Sequence, residues 1–172
     1  HSVSVCALMT AFARTLEVSH ETIREIAVGA LLHDVGKARV PDEILNKPGK
    51  LTDAEFLAVK SHPAEGHAML LAGSGVSDVA LDVCLHHHEK IDGSGYPERL
   101  KGDQISLYGQ MGAVVDVYDA LRSPRCYKPA LPHGEARALL VEGRGTHFDP
   151  RVVDLFLQIE NRFDEVYQKL SG

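Results

Sequence analysis

The stretch that decides the fold reads VALDVCLHHHEKIDGSGYP and covers residues 79–97. Its first half places apolar residues at helical spacing and runs directly into His86-His87-His88-Glu89, which predicts a helix. From Asp92 to Ser106 the sequence is polar, contains several glycines and Pro97, and has no helical period. We therefore predict a helix followed by a long loop, and loops of this length in compact domains are usually functional or disordered.

Helix signals continue on both sides of this stretch. Apolar stripes or capping patterns predict helices at residues 5–16, 23–31, from 52, at 63–72, at 106–122 and from 149 onward. Thr52-Asp53-Ala54-Glu55 reads as a capping box, and Asp149-Pro150 is typical of a helix start. Because no segment alternates as a strand does, the predicted fold class is all-α, a compact helical bundle with one long loop that contains glycine and proline.

Composition and charge narrow the class of protein. The chain has 172 residues, enough for one domain with a sizeable core, and 44% of them are apolar. A formal net charge of -6 argues against a protein that grips a nucleic acid polymer electrostatically. Within this acidic chain, Arg122, Arg125 and Lys128 form a local positive patch. The patch predicts either a site for a small anionic ligand or a solvated helix end.

Two further features bear on where the chain works. No apolar segment is long enough to span a bilayer, and Cys6, Cys84 and Cys126 form neither a zinc pattern nor a plausible disulfide framework. We therefore expect no membrane insertion by this segment and a reducing, cytoplasmic environment. The sequence begins at His1, which already lies on the apolar stripe of Val5 and therefore inside the first predicted helix. We therefore expect residues 1–172 to be the C-terminal output domain of a longer protein. An N-terminal sensory or receiver domain and protein partners in signalling would complete it.

Several potential metal ligands fall on faces that are predicted to be buried. His1 and His87 extend apolar stripes, His33-Asp34 ends the second helix, and Asp116 lies on a face of small residues. One such histidine is more often a hydrogen-bonded core residue than a ligand. Burying all of these groups without compensation would cost roughly several kcal/mol each, and a shared cation removes that cost. Imidazole and carboxylate without thiolate favour iron or manganese, with zinc, nickel or cobalt as alternatives, over a structural zinc.

The spacing of these residues predicts how they converge. Adjacent helical residues point about 100° apart. His33 and Asp34 are therefore expected to straddle one centre, with Asp34 bridging two ions through its two oxygens. His87 and His88 are expected to do the same from the opposite helix.

Two segments carry a family resemblance. Residues 33–37 (HDVGK) resemble the signature of the HD phosphohydrolase superfamily, and residues 87–97 (HHEKIDGSGYP) resemble the defining motif of its HD-GYP subfamily. Further matches cover essentially the whole chain, at residues 1–5 (HSVSV), 116–121 (DVYDAL), 125–128 (RCYK) and 145–150 (GTHFDP). HD-GYP domains are known as cyclic di-GMP phosphodiesterases of bacterial signalling that use two or three divalent metal ions, often iron.

Carried over position by position, the resemblance implies two sets of site residues. The metal ligands would be His1, His33, Asp34, His62, His87, His88 and Asp116. The substrate-binding residues would be Lys37, Tyr96, Arg125 and Lys128, with Asp34 and Lys37 taking part in catalysis. A role for Tyr96 in packing its own loop explains that residue equally well. Cys126 stands where proline is commoner in the family, and Ser4 stands where arginine is frequent.

The resemblance implies hydrolysis of cyclic di-GMP to the linear dinucleotide pGpG, to GMP, or to both. A hydroxide shared by two metal ions would attack phosphorus, Lys37 would stabilise the developing charge, and Arg125 and Lys128 would hold phosphate. Two alternatives belong to other classes. One is an HD phosphohydrolase that acts on another nucleotide, such as a hybrid cyclic dinucleotide or an alarmone, although Arg125 and Lys128 argue against an alarmone. The other is a catalytically idle sensor or docking domain that binds a cyclic dinucleotide.

Overall fold

The computed structural model describes residues 1–125 and 128–172, so Cys126, which stands where proline is commoner in the family, lies outside the described residues together with Tyr127. Within these ranges the chain forms helices, loops and isolated bridges, which confirms the all-α prediction. The α-helices are α1 (Ser2–Ala13), α2 (His20–Leu32), α3 (Asp42–Leu45), α4 (Asp53–Lys60), α5 (His62–Ala72), α6 (Asp78–His86), α7 (Leu107–Arg122), α8 (His133–Glu142) and α9 (Pro150–Ser171). Two short 3₁₀ helices cover Val35–Arg39 and Gly102–Gln104.

The helix starts follow the capping residues seen in the sequence. The Thr52 hydroxyl accepts a hydrogen bond from the Glu55 amide, and the Glu55 carboxylate accepts one from the Thr52 amide, which completes the predicted capping box of α4. Asp149 caps α9 through its side chain, also as predicted. Helices α3 and α8 begin without a side-chain cap, and the sequence patterns did not predict them.

The hydrophobic core surrounds α7, which packs against α1, α6, α8 and α9. Met111, Val114 and Tyr118 of α7 are fully buried. Phe12 of α1 meets Phe163 of α9 edge to face, with 5.3 Å between the ring centroids. This packing brings the N-terminal end of α1 beside the middle of α7, although the two lie far apart in the sequence.

Close approach of α2 and α6 brings their C-terminal ends together. A Cβ atom at Gly29 would lie 2.9 Å from the Cα atom of Ala80, so only glycine permits the observed spacing of the two helices. Gly36 has the same role beside α5, because a Cβ atom there would overlap the backbone carbonyl of His62. The ends of α2 and α6 and the start of α5 therefore meet at one place.

One predicted stripe and one predicted helix end are wrong. Leu31, the last residue of the stripe predicted at 23–31, is 46% exposed and Gly29 is buried instead, because the close contact with α6 selects a small residue there. Helix α1 ends at Ala13 rather than at Leu16, although Leu16 still packs against the core. None of the helices in the described part of the chain is both long enough and apolar enough to cross a membrane.

The predicted positive patch is smaller than expected. Arg122 is buried and donates hydrogen bonds to the Tyr118 hydroxyl at 2.7 Å and to the Asp164 carboxylate at 2.8 Å. Its charge is therefore engaged within the fold. Arg125 and Lys128 remain at the surface, where they bond to each other through their backbones.

Candidate metal centre

The predicted metal ligands meet at one place because five of them lie at helix ends. His33 is the C-cap of α2, Asp34 follows it, and His62 is the first residue of α5. His87 is the C-cap of α6 and His88 follows that helix. Both pairs lie just beyond the last residue of their helix, Leu32 in α2 and His86 in α6, so the expectation that they lie within a helix is wrong. Asp34 has left helical geometry, with a φ of -101°.

Asp34 lies between two groups of imidazoles. Its Oδ2 atom is 3.2 Å from His33 Nε2 and 3.5 Å from His1 Nε2. Its Oδ1 atom is 3.2 Å from His62 Nε2 and 3.7 Å from His87 Nε2. Each oxygen of the carboxylate thus faces a different pair of nitrogens, an arrangement suited to a bridging ligand.

Asp116 approaches the same cluster from α7. Its Oδ1 atom is 2.8 Å from His1 Nε2 and 3.4 Å from His33 Nε2, and its Oδ2 atom is 3.8 Å from His88 Nε2. Small residues on this face of α7 let α6 come close, since a Cβ atom at Gly109 would lie only 3.1 Å from the His86 side chain. All seven predicted metal ligands therefore converge.

Backbone carbonyls fix the orientation of three of the rings. The Nδ1 atoms of His33, His62 and His87 lie 2.5, 2.7 and 2.8 Å from the carbonyl oxygens of the residues three positions earlier. A carbonyl only accepts, so each neutral ring carries its proton on Nδ1 and directs the lone pair of Nε2 into the cluster. The Nε2 atoms of His62 and His87 face each other at 3.3 Å. Two lone pairs at that distance repel unless a cation or a proton lies between them.

Further observations fit a divalent cation. Within the described residues, His33 Nε2 and Asp34 Oδ1 are buried without a hydrogen-bond partner, although other polar atoms are near, because the angles are wrong for a hydrogen bond. Such atoms are costly unless an ion binds them. Three overlapping groups each place their ligand atoms within 4.8 Å of one another, namely Asp34 with His62, His87 and His88; His1 with His33 and Asp34; and His33 with His87 and Asp116.

The carboxylates of the cluster favour positive charge on the neighbouring imidazoles, and the pKa values reflect this. Burial lowers the pKa of His1, but hydrogen bonds with Asp116 and Asp119 outweigh it and raise that pKa to about 9. Burial is likewise outweighed at His33, where Asp116 and Asp34 raise the pKa to about 10. The imidazoles hold the pKa values of Asp34 and Asp116 below their usual range despite burial. In the absence of a metal the carboxylates thus draw protons onto two rings, and a divalent ion would replace those protons.

A neighbouring thiol does not join the ligand set. Burial, followed by the charge of Asp34, raises the pKa of Cys84 to about 12, so its sulfur stays protonated. The Cys84 thiol instead faces the carbonyls of Leu32 and His33. The donor set of imidazole and carboxylate predicted from the sequence is therefore the one that the described residues present.

The predicted substrate-binding residues line a cavity of about 580 Å³ that opens over this cluster. Lys37 is 40% exposed and its ammonium lies 3.2 Å from Asp34 Oδ2. Tyr96 stacks on His88 with 4.9 Å between centroids and an interplanar angle of 16°. Arg125 and Lys128 lie on the cavity wall. The structure thus brings all four to one cavity, and their roles stay predictions.

The loop that carries Tyr96 is more ordered than its sequence predicted. Glu89 is fully buried, and its carboxylate accepts hydrogen bonds from the amides of Glu98 at 2.7 Å and Leu100 at 3.0 Å. An isolated bridge between Asp92 and Lys101 closes the loop at its base. Sequence reasoning gave Glu89 no role, although it lies beside the ligand pair and within the family motif at residues 87–97.

The other histidines have different partners. His86, next to the ligand pair, has Nδ1 2.6 Å from Asp82 and Nε2 3.1 Å from Glu98. His133 bonds to the Tyr118 hydroxyl and His147 stacks on Phe148. Together with His20 and His67, these residues lie outside the metal-binding groups formed by the described residues.

The family of the chain follows from a match to a known protein family. The model of a family described as HD domain matches residues 1–152. The chain belongs to the HD domain family. The solved structure of an HDGYP protein from Bdellovibrio bacteriovorus has a similar fold. The two superpose with a TM-score of 0.74 at 22% identity, over 94% of this chain and 51% of that one. The predicted resemblance to HD-GYP domains is confirmed.

Curated relatives of this HD domain are named after cyclic dinucleotides. A Pseudomonas aeruginosa protein named cyclic di-GMP phosphodiesterase is 55% identical over 158 residues, which is 92% of this chain and 38% of the relative. A Vibrio cholerae protein named 3'3'-cGAMP-specific phosphodiesterase 2 is 42% identical over 133 residues, covering 77% of this chain and 26% of the relative. The chain thus spans well under half the length of these relatives.

Proposed function

We propose that this HD domain is a metal-dependent phosphodiesterase that hydrolyses a cyclic dinucleotide, with cyclic di-GMP as the preferred substrate. The observation that carries the proposal is the position of Asp34. Its two oxygens face two separate groups of imidazoles at the floor of a cavity that also contains lysine and arginine side chains. The names of the relatives supply the substrate class.

Two or three divalent ions, iron or manganese, are the proposed cofactors. The overlapping ligand groups share Asp34, His33 and His87, so neighbouring ions would be close together. When bound, such ions act as Lewis acids on a phosphate and lower the pKa of water to near neutrality. The chain itself holds the rings in the ligating tautomer through the carbonyl contacts of their Nδ1 atoms.

The cationic side chains are proposed to bind and stabilise phosphate. Lys37 follows Asp34 by three residues in the 3₁₀ helix, and its ammonium already lies 3.2 Å from that carboxylate. A phosphate over the cluster would lie within its reach, so the ammonium can stabilise negative charge that grows in the transition state. Arg125 and Lys128 are held together by backbone hydrogen bonds of 2.8 and 3.1 Å, and both line the cavity, where they can bind a second phosphate.

The rest of the cavity wall is aliphatic, which favours a nucleotide over a simple phosphate diester. Val117 and Leu121 of α7, Leu131 of the following segment and Leu139 of α8 line it. The Leu131 amide donates to the Leu121 carbonyl at 2.9 Å, which fixes this side of the wall. Aliphatic side chains cannot bind phosphate, but they can cover the apolar face of a nucleobase.

Hydrolysis would give pGpG, GMP or both. A hybrid cyclic dinucleotide is the second candidate substrate, because a relative that is 42% identical to this chain is named after 3'3'-cGAMP. The test is to incubate the iron- or manganese-loaded protein with cyclic di-GMP, 3'3'-cGAMP and cyclic di-AMP and to separate the products by chromatography. We expect cyclic di-GMP to be hydrolysed fastest. Full metal occupancy with no hydrolysis of any of the three would favour the idle sensor.

The setting of the domain is part of the same proposal. We place it in the cytoplasm, where signalling by cyclic dinucleotides takes place, as the output domain of a longer signalling protein. A similar Xanthomonas campestris protein is named a cyclic di-GMP phosphodiesterase response regulator, which supports a receiver domain as the regulatory partner.

A further inference from the structure

Asp119 contacts the ring of His1 on the side opposite the metal cluster. The Asp119 Oδ2 atom lies 2.6 Å from His1 Nδ1, while His1 Nε2 lies 2.8 Å from Asp116 Oδ1. Asp116 and Asp119 are three residues apart on α7 and therefore share one face of that helix. The two carboxylates hold both nitrogens of one ring, which fixes its position and its direction.

The environment of Asp119 leaves it no other role in an ion pair. Its side chain is fully buried, and within the described residues its only side-chain hydrogen bond is the one to His1. Its second oxygen, Oδ1, is buried and makes no hydrogen bond with the described residues. Burying a carboxylate that has a single partner costs folding free energy unless the partner carries, or holds, a positive charge that the carboxylate stabilises.

His1 differs from the other ligand histidines in the group that holds it. His33, His62 and His87 use neutral backbone carbonyls three residues earlier in the chain, whereas His1 uses a carboxylate from a helix more than a hundred residues away. A carboxylate partner fixes the tautomer as a carbonyl does and also makes the ring a stronger base. Metal-bound histidines gain affinity from such partners.

We propose that Asp119 is a positioning residue of the metal centre. It keeps the proton of His1 on Nδ1, directs Nε2 toward Asp34 and Asp116, and strengthens the ring as a ligand. This inference rests on the proposed metal centre and adds a residue that does not itself ligate. The competing explanation is that the pair only fastens α1 to α7.

The chain offers a matched control. Asp82 and His86 form the same kind of pair, with Asp82 Oδ1 2.6 Å from His86 Nδ1, but His86 belongs to none of the metal-binding groups formed by the described residues. The variants are Asp119→Ala, Asp119→Asn and Asp82→Asn. Asparagine keeps an oxygen acceptor and removes the charge, so it separates the orientation of the ring from its basicity.

The measurement is the affinity of the purified protein for Mn²⁺, by chelator competition, together with the melting temperature of the metal-free protein. We expect Asp119→Ala to weaken the binding of one equivalent on the order of 10- to 100-fold. Asp119→Asn should weaken it less, and Asp82→Asn should leave it unchanged. If Asp119→Ala fails to fold, the isosteric Asp119→Asn carries the test.

Two results would separate this inference from the proposed function. Wild-type affinity for every Mn²⁺ equivalent in both Asp119 variants, with only a lower melting temperature, would overturn the positioning role and leave the phosphodiesterase proposal standing. A wild-type protein that binds Mn²⁺ but hydrolyses no cyclic dinucleotide would overturn the proposed function, and the affinities would still decide the role of Asp119. A wild-type protein that binds no Mn²⁺, Fe²⁺ or other divalent metal would overturn both.

Discussion

At the scale of single residues, the direction of four ligand imidazoles is set by the partner of the Nδ1 atom, those of His1, His33, His62 and His87. The sequence predicted His33, His87 and His88 as ligands because they lie at the ends of predicted helices, and the family resemblance added His62. The motif also contained Asp119, three residues after Asp116, and that spacing was a usable signal. Its contact with His1 depends on how α1 packs on α7, which no local pattern encodes.

Lys37→Ala separates a catalytic role from a structural one. If the ammonium stabilises charge that develops on the phosphate, kcat should fall on the order of 10²–10³-fold, with a smaller change in KM. Since Lys37 is 40% exposed, we expect little change in melting temperature. Both quantities are measured on the same preparation.

Lys47→Ala is the control for Lys37→Ala, because Lys47 forms a comparable pair with Glu55 at 2.7 Å outside the cavity. It should keep the kcat of the wild type. A Lys37→Ala protein with near-normal kcat and a lowered melting temperature would show that Lys37 serves only the end of the 3₁₀ helix.

At the scale of elements, capping chemistry and apolar spacing predicted most helix starts correctly. Thr52 and Asp149 each accept the expected hydrogen bond from the first turn, and Ser106 accepts one at the start of α7. Helix α3 has only four residues, and α8 begins without a side-chain cap, so neither left a signal of that kind. The loop after α6 was correctly predicted as a long connection, but the buried anchor that shapes it was not.

Glu89→Gln tests that anchor. The Glu89 carboxylate accepts from two backbone amides of the loop, and glutamine retains only one accepting oxygen. Leaving one buried donor without a partner costs about 1–3 kcal/mol. For a domain of this size we expect the melting temperature to fall by about 2–10 °C. The loop should also hold Tyr96 less firmly against His88, which would raise KM.

The control for this variant is Glu98→Gln, since the Glu98 side chain is 50% exposed and bonds to His86 near the surface. It should shift the melting temperature by little. An unchanged melting temperature for Glu89→Gln in thermal unfolding would mean that the loop does not depend on this carboxylate.

At the scale of the whole molecule, the helices surround a cavity that has a polar floor and an aliphatic wall. Ends of α2 and α6 and the start of α5 bring ligands to its floor, while α7 and α8 contribute aliphatic residues. Sequence motifs predicted the polar floor, because its ligands are clustered in short segments. They did not predict the aliphatic wall, because leucine and valine at those positions look like ordinary core residues.

Leu139→Asn tests the aliphatic wall. If this wall covers a nucleobase, the lost apolar contact should raise KM for cyclic di-GMP on the order of tenfold, equivalent to about 1–2 kcal/mol. Inhibition by inorganic phosphate, which has no base, should stay the same. Leu170→Asn is the control, because Leu170 is 48% exposed, comparable to Leu139 at 43%, and lies outside the cavity. An equal loss of affinity for phosphate would assign the effect to the metal floor instead.

The proposed hydrolysis of a cyclic dinucleotide depends on a metal centre bridged by Asp34. The most direct test measures bound metal by mass spectrometry and cyclic di-GMP turnover on the same preparations of wild type and Asp34→Ala. We predict that the wild type holds at least two equivalents of metal and hydrolyses cyclic di-GMP. Chelation should abolish turnover, and reloading with metal should restore it. Asp34→Ala should lose more than one equivalent together with turnover. Full metal occupancy in Asp34→Ala, or turnover that survives chelation, would contradict this account.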